Sequence, residues 1–271
     1  MHDQNVIIDL ALEPRKRPLA AGWAWLQRSY QLYRQAPVPW LKISTLFFGL
    51  MLLTGLLPVL GFVVSVIIAP IFLGGIAVAA QRTVAGQLPP VEDLFLGFKT
   101  KASELAKVGG FYILGGFAVV VAVSMLTGIL HSIGLIGALP EKLESLQQIR
   151  HLWPIGVLLL MGLLGVYSAY FYAPILVMLD QLSAGEAMKM SWVGFWRNWL
   201  PLMMMSLLLA VILFAALMLG TQLNQLLSGI PLLADLPMFV VWCLCMPLVL
   251  ISSYVCYADV FVSTTPTGDH L

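Results

Sequence analysis

The chain predicts an all-α polytopic membrane protein with six transmembrane helices in three repeated units, each an interfacial amphipathic helix followed by a transmembrane hairpin. Three observations predict it. Only 10% of the 271 residues are charged and 60% are apolar, whereas a soluble domain carries roughly 25% charged residues. Fourteen Lys+Arg and 13 Asp+Glu cannot cover a water-exposed surface of this size, so lipid must surround most of the chain. Six apolar stretches are each long enough for the roughly 20 residues that a membrane-crossing helix needs. The basic residues cluster in alternate connections, as retention on one side of a membrane demands.

The elements follow in order. Residues 1–18 form an N-terminal tail, 19–260 a six-helix membrane domain and 261–271 a C-terminal tail. The spans are expected at 40–57, 62–80, 108–130, 154–179, 200–220 and 238–258, the first two joined by a tight hairpin at Pro58 and Gly61. Arg15, Lys16, Arg17, Arg28 and Arg34 precede the first span and Lys42 stands at its start; Arg82, Lys99, Lys101 and Lys107 lie in the second connection, Lys189 and Arg197 in the fourth. The opposite side holds only Lys142 and Arg150. Both termini are therefore expected in the cytoplasm, in a bacterial inner membrane, with the first span retained as an anchor rather than cleaved.

The three segments before the odd-numbered spans resemble one another. In the first, Trp23, Leu26, Tyr30 and Tyr33 recur at helical spacing, with Gln27, Arg28, Gln31 and Arg34 on another face. In the second, Pro89 and Pro90 precede Glu92 and Asp93, acids suited to a helix N-terminus, and Val91, Leu94, Phe95, Phe98, Ala102 and Leu105 trace an apolar stripe. In the third, Ser183 and Glu186 have capping-box spacing, and Trp192, Trp196 and Trp199 run down one side. Local sequence repeats too: Ala69-Pro70-Ile71 returns as Ala173-Pro174-Ile175 and loosely as Met246-Pro247-Leu248, and Leu96-Gly97-Phe98 as Val193-Gly194-Phe195. These define a threefold repeat starting near residues 19, 90 and 186. On the outer side, 140–153 reads as a short amphipathic helix.

The stretch Ala173-Pro174-Ile175-Leu176-Val177-Met178-Leu179-Asp180, followed by Ser183, Glu186-Ala187 and Ser191, resembles the signature of bacterial six-span inner-membrane proteins similar to the membrane domain of glycerophosphoryl diester phosphodiesterases. The resemblance covers most of 19–260. It implies a fold and a membrane location. In the phosphodiesterases catalysis belongs to an appended soluble domain rich in acidic and histidine ligands, so the resemblance implies no activity for these residues.

Chemistry-bearing residues are sparse. Asp180 and Asp259 fall where the fourth and sixth spans end, and Arg82 after the second; they read as boundary residues solvated by headgroups, or as a cytoplasmic charge cluster in which an aspartate pairs with Arg82. His2, His131, His151 and His270 have no metal-ligand spacing, and Met203, Met204 and Met205 point about 100° apart, so no row of soft ligands forms. Cys243, Cys245 and Cys256 share one apolar stretch and read as packing residues. No phosphate loop or nucleophile elbow occurs. The chain is expected to be no enzyme and to carry no cofactor and no metal. A net charge of +1 gives no field for nucleic acid.

Inside the bilayer, small residues at spacings of four (Gly165, Ala169 and Ala173; Gly75 and Ala79; Ser206 and Ala210) suit close helix packing within the chain or a homo-oligomer face. Pro70, Pro174 and Pro247 are candidate helix kinks. The leading expectation is a scaffold or regulator that binds a membrane protein partner or anionic lipid through Arg15, Lys16, Arg17, Trp23, Arg28, Arg34, Trp192 and Trp196. The alternative is a carrier of a lipid-like or apolar small molecule, and a third reading is a membrane subunit of an enzyme whose active site lies on another chain.

Overall fold

A computed structural model describes residues 13–58, 60–135, 146–227 and 236–262. Residues 1–12, 59, 136–145, 228–235 and 263–271 lie outside the described residues. All regular structure among the described residues is helical: α1 (Ala21–Gln35), α2 (Pro37–Thr54), α3 (Leu60–Val84), a 3-10 helix (Val91–Phe95), α4 (Leu96–Thr100), α5 (Ala102–Ser132), α6 (Leu146–Phe171), α7 (Ala173–Leu179), α8 (Ala184–Arg197), α9 (Trp199–Leu227) and α10 (Leu236–Phe261). Six spans are long and apolar enough to cross a membrane: Pro37–Thr54, Leu60–Val84, Ala102–Ser132, Trp153–Leu179, Trp199–Leu226 and Leu236–Phe261.

Local chemistry sets the breaks. Pro37 lacks an N–H and disfavours helical geometry at the residue before it, so Ala36 sits at φ −140, ψ 59 between α1 and α2. The fourth span is interrupted at Tyr172, where Pro174 stands in the first turn of α7; Pro70 and Pro247 lie inside helices that continue through them. Of the three candidate kinks, only Pro174 divides its helix. Of the amphipathic helix expected at 140–153, the described residues 146–153 are continuous with the fourth span, since α6 begins at Leu146.

The three short helical regions sit at one end of the bundle, where odd-numbered spans begin and even-numbered spans end. Each packs over an even-numbered span: the 3-10 helix and α4 on α3, α8 on α6 and α7, and α1 on α10 with the start of α9. Glycine makes the tightest of these contacts. A Cβ at Gly75 collides with the carbonyls of Asp93 and Leu94, and one at Gly97 with the carbonyl of Ile71, so the 3-10 helix and α3 meet backbone to backbone.

The first span packs on the sixth and the third on the second, yet among the described residues no extended interface joins the fourth span to the fifth. The core lies in the half of the bundle nearest the short helices, around Trp40, Ile76, Leu105, Tyr172, Leu176 and Tyr257.

Candidate functional site

Polar chemistry concentrates at the end bearing the short helices. The segment before α1 runs as a strap. The Arg15 N–H donates to the Val260 carbonyl at 2.9 Å, and the Arg17 N–H donates to Asn198 Oδ1 at 2.8 Å. Asn198 Nδ2 in turn donates to the Arg15 carbonyl at 2.8 Å and the Gly194 carbonyl at 3.0 Å. Asn198 is fully buried and fully used, as a buried amide must be. Arg17 Nη2 meets Asp259 Oδ1 at 2.7 Å, and its Nε and Nη2 donate to the Asp259 carbonyl. Trp25 Nε1 donates to Asp259 Oδ2 at 2.8 Å. Strap, α1, the end of α8 and α10 are thereby stitched together.

Arg82 Nε stands 3.1 Å from Asp93 Oδ2, an ionic contact without good hydrogen-bond alignment, since that oxygen has no hydrogen-bond partner. The Asp93 side chain is 3% exposed and that of Arg82 44%. Burial holds the Asp93 carboxyl above its ordinary range, against the pull of Arg82. Asp180 Oδ2 accepts from the Tyr257 hydroxyl at 2.6 Å; burial raises its carboxyl too, and the tyrosine bond opposes the rise. Arg82, Asp180 and Asp259 therefore do not form one cluster by pairing with each other. They belong to three separate contacts: Arg82 with Asp93 of the 3-10 helix, Asp259 with Arg17 of the strap and Trp25 of α1, and Asp180 with Tyr257 of α10.

The third connection is fixed by its cap. The Ser183 and Glu186 capping box forms, and its hydrogen bonds hold the Glu186 carboxyl below its ordinary range. Glu104 Oε2 accepts from the Ala184 N–H at 2.8 Å. Ser191 Oγ donates to the Ser168 carbonyl and accepts from the Tyr172 N–H, so α8 supplies the bond lost at the break before Pro174. Trp196 Nε1 donates to Ser168 Oγ at 3.1 Å.

The residues expected to contact lipid or a partner divide. Lys16, Trp23, Arg28, Arg34, Trp192 and Trp196 are exposed, whereas Arg17 is engaged with Asp259 and Arg15 is half-buried in the strap. On α1 the buried residues include Trp25, Leu26, Ser29 and Leu32, while Trp23 and Tyr30 face outward, with Arg34 over the Tyr30 ring. The three cysteines carry no disulfide, and Cys243 and Cys256 are buried.

Deeper in the bundle lies a chamber of about 340 Å³ lined by Leu73, Tyr167, Tyr170, Phe171, Pro174, Ile175, Met205, Ser206, Leu209, Ala210, Leu213, Val249, Leu250, Ser252 and Ser253. It occupies the place where the fourth and fifth spans fail to pack. A second cavity, of about 510 Å³, adjoins it through Tyr167 and Tyr170 and extends past Tyr112 and Ser65 to Thr54, Gly55 and Gly61 at the opposite end. No charged side chain lines either cavity. Tyr170 lies nine residues before the end of the fourth span at Leu179, about 14 Å along a helix axis. The chamber was not among the sequence expectations. Its signal was the run Tyr167-Ser168-Ala169-Tyr170-Phe171-Tyr172, aromatic with hydroxyls well inside a span rather than at its boundary.

Comparison of the chain with protein-family models, curated proteins and solved structures gives no match.

Proposed function

We propose that this chain is a non-catalytic multi-pass protein of the bacterial inner membrane, both termini cytoplasmic, that binds and carries a lipid-like or apolar small molecule within its bundle. The observation that carries the reading is the uncharged chamber opening where the fourth and fifth spans do not pack. Its volume falls within the roughly 300–1,000 Å³ of ordinary ligand sites, and an apolar ligand needs no buried counter-charge. The threefold repeat is part of the same reading. Arg82 and Asp259 each stand twelve residues beyond Pro70 and Pro247, and each ties down the next short helix. Three similar units predict an interface between the fourth and fifth spans like the other two, and its absence makes room for a guest. The test is bound-lipid mass spectrometry on protein purified from native membrane, beside an Ala210→Trp variant that fills the chamber. A co-purifying apolar species lost from the variant supports the reading, and a wild-type protein free of one refutes it.

A second reading, a scaffold for anionic lipid or a membrane protein partner, is favoured by the exposed Lys16, Arg28, Arg34, Trp23 and Trp192 on the short helices. Clustered basic and aromatic side chains suit an anionic interface. Neutralising Lys16, Arg28 and Arg34 together weakens association with anionic liposomes if this surface is used, and leaves it unchanged if it is not.

A further inference from the structure

We infer that the chamber recognises an uncharged amphiphile through an acceptor oxygen, held by the hydroxyls of Tyr167 and Tyr170, and that the molecule enters sideways from the lipid past Ser206 and Ala210. This rests on the carrier reading above and names its ligand chemistry and its door.

Hydroxyl protons decide the recognition. The Ser252 and Ser253 hydroxyls donate to the Val249 and Leu250 carbonyls at 2.8 and 2.7 Å, and those of Thr54 and Ser65 to the Met51 and Phe62 carbonyls of their own helices. Their donors are taken. Among the described residues the hydroxyls of Tyr112, Tyr167 and Tyr170, and that of Ser206 at the chamber's edge, have no protein hydrogen-bond partner, although Tyr112 and Tyr170 touch ring to ring at 4.9 Å and Tyr167 packs on Phe171 and Phe195. A phenol donor left without an acceptor in a hydrocarbon setting is costly. A ligand carbonyl or ether oxygen removes that cost, whereas a phosphate or carboxylate meets no cation in a wall without charged residues.

The door follows from packing. Ser206 and Ala210 are one helical turn apart on the fifth span, and both are exposed while also lining the chamber. The other two small-residue stripes seat side chains or backbone: Gly165 lies under the Trp192 ring and Gly75 against the 3-10 helix. Only the Ser206 and Ala210 stripe faces a seam without an opposing helix, which leaves a gap at mid-bundle open to acyl chains.

Photolabelling of the full chain in nanodiscs of phosphatidylcholine and phosphatidylglycerol tests this with four probes. These are a diazirine diacylglycerol, an azido-quinone with an isoprenoid tail, a diazirine alkane without oxygen, and a diazirine phosphatidylglycerol. At least one of the two uncharged oxygen-bearing probes is expected to label chamber residues at least tenfold above the charged lipid. That labelling falls about fivefold for each of Tyr167→Phe and Tyr170→Phe, the usual worth of one hydrogen bond, and is lost in Ala210→Trp. Alkane labelling is unmoved by the phenylalanine variants, which keep the rings and serve as the folding control. Chamber labelling that ignores both phenylalanine variants, or that favours phosphatidylglycerol, overturns the recognition chemistry and leaves the carrier reading standing. Absence of chamber labelling by all four probes overturns both.

Discussion

Removing the Asp259 side chain separates a structural clasp from a solvated boundary charge. In Asp259→Ala, Arg17 loses its 2.7 Å ion pair; the side chains are 27% and 37% exposed, so screening limits that loss to about 0.5 kcal/mol. The two bonds from Arg17 to the Asp259 carbonyl survive, since they use the backbone. Trp25 fares worse. Its residue is 3% exposed, and its N–H loses a charged acceptor at 2.8 Å, worth about 1.5–3 kcal/mol. The expected cost is therefore about 2–3 kcal/mol. Asp259→Asn keeps an oxygen for Trp25 and costs about 1 kcal/mol. The assay is equilibrium unfolding by SDS titration in mixed micelles, with the exposed Lys99→Ala as reference and a cycle through Trp25→Phe. A coupling energy of about 1–2 kcal/mol between Trp25 and Asp259 is expected. Equal losses for Asp259→Ala and Lys99→Ala, or for the alanine and asparagine variants, would refute the clasp.

Three more outcomes follow from the same contacts. Arg82→Ala strands the Asp93 carboxylate, and because Arg82 is 44% exposed the loss is about 1–2 kcal/mol, below that of a fully buried pair; Asp93→Asn, whose amide needs no counter-ion, is milder in the same titration, and the reverse order contradicts the pairing. The raised carboxyls of Asp93 and Asp180 make the folded chain hold protons longer than the unfolded one. Their contribution to stability thus falls as pH climbs from the ordinary aspartate range near about 4 through the raised values. Asp93→Asn flattens its share of that fall in melting temperature against pH, while Glu186, lowered by its cap, loses its stabilising share only as pH drops below its ordinary range. Neighbouring glycines should respond with opposite sign. A Cβ at Gly109 meets the Val66 carbonyl and Ile67 Cα, but at Gly110 nothing lies within 4 Å. Gly109→Ala costs about 1–3 kcal/mol and Gly110→Ala adds about 0.5–1 kcal/mol, both read by SDS titration; similar effects at the two sites tell against the packing of α5 on α3.

The six spans were legible because hydrocarbon imposes length and apolarity on any helix that crosses it. Their ends were less so. The first helix starts at Pro37 and the third at Ala102, ahead of the apolar stretches, because a helix keeps its hydrogen bonds after it leaves the lipid. Which face of α1 turns inward was not legible: the buried face through Trp25, Leu26, Ser29 and Leu32 lies one step round from the apolar spacing through Trp23, Leu26, Tyr30 and Tyr33. Trp25 goes inward because Asp259 waits for its N–H, and Gly22 lets α1 close on the Pro201 carbonyl. Charge partners were hidden for a related reason. Asp93, eleven residues from Arg82, reaches it only because Gly75 admits the 3-10 helix, a tertiary fact that hydropathy does not encode.

The missing interface between the fourth and fifth spans draws these threads together. A break at Tyr172 normally leaves a backbone donor unsatisfied, which in lipid has no remedy but a protein partner. Ser191 supplies that partner, reaching from α8 to the Tyr172 N–H and the Ser168 carbonyl. The same helix sets Trp196 on Ser168 Oγ and packs Trp192 on Gly165, so α8 covers one face of the fourth span from Gly165 to Tyr172. Toward the fifth span no extended interface takes its place among the described residues, and Tyr167, Tyr170 and Phe171 line a gap together with Ser206 and Ala210. A bundle held by a clasp at Asp259, an ion pair at Arg82 and a cap at Ser183 keeps its rigid contacts at one end. The hydrogen bonds of that end are made by side chains outside the chamber wall, so the opening that the carrier proposal requires need not break them.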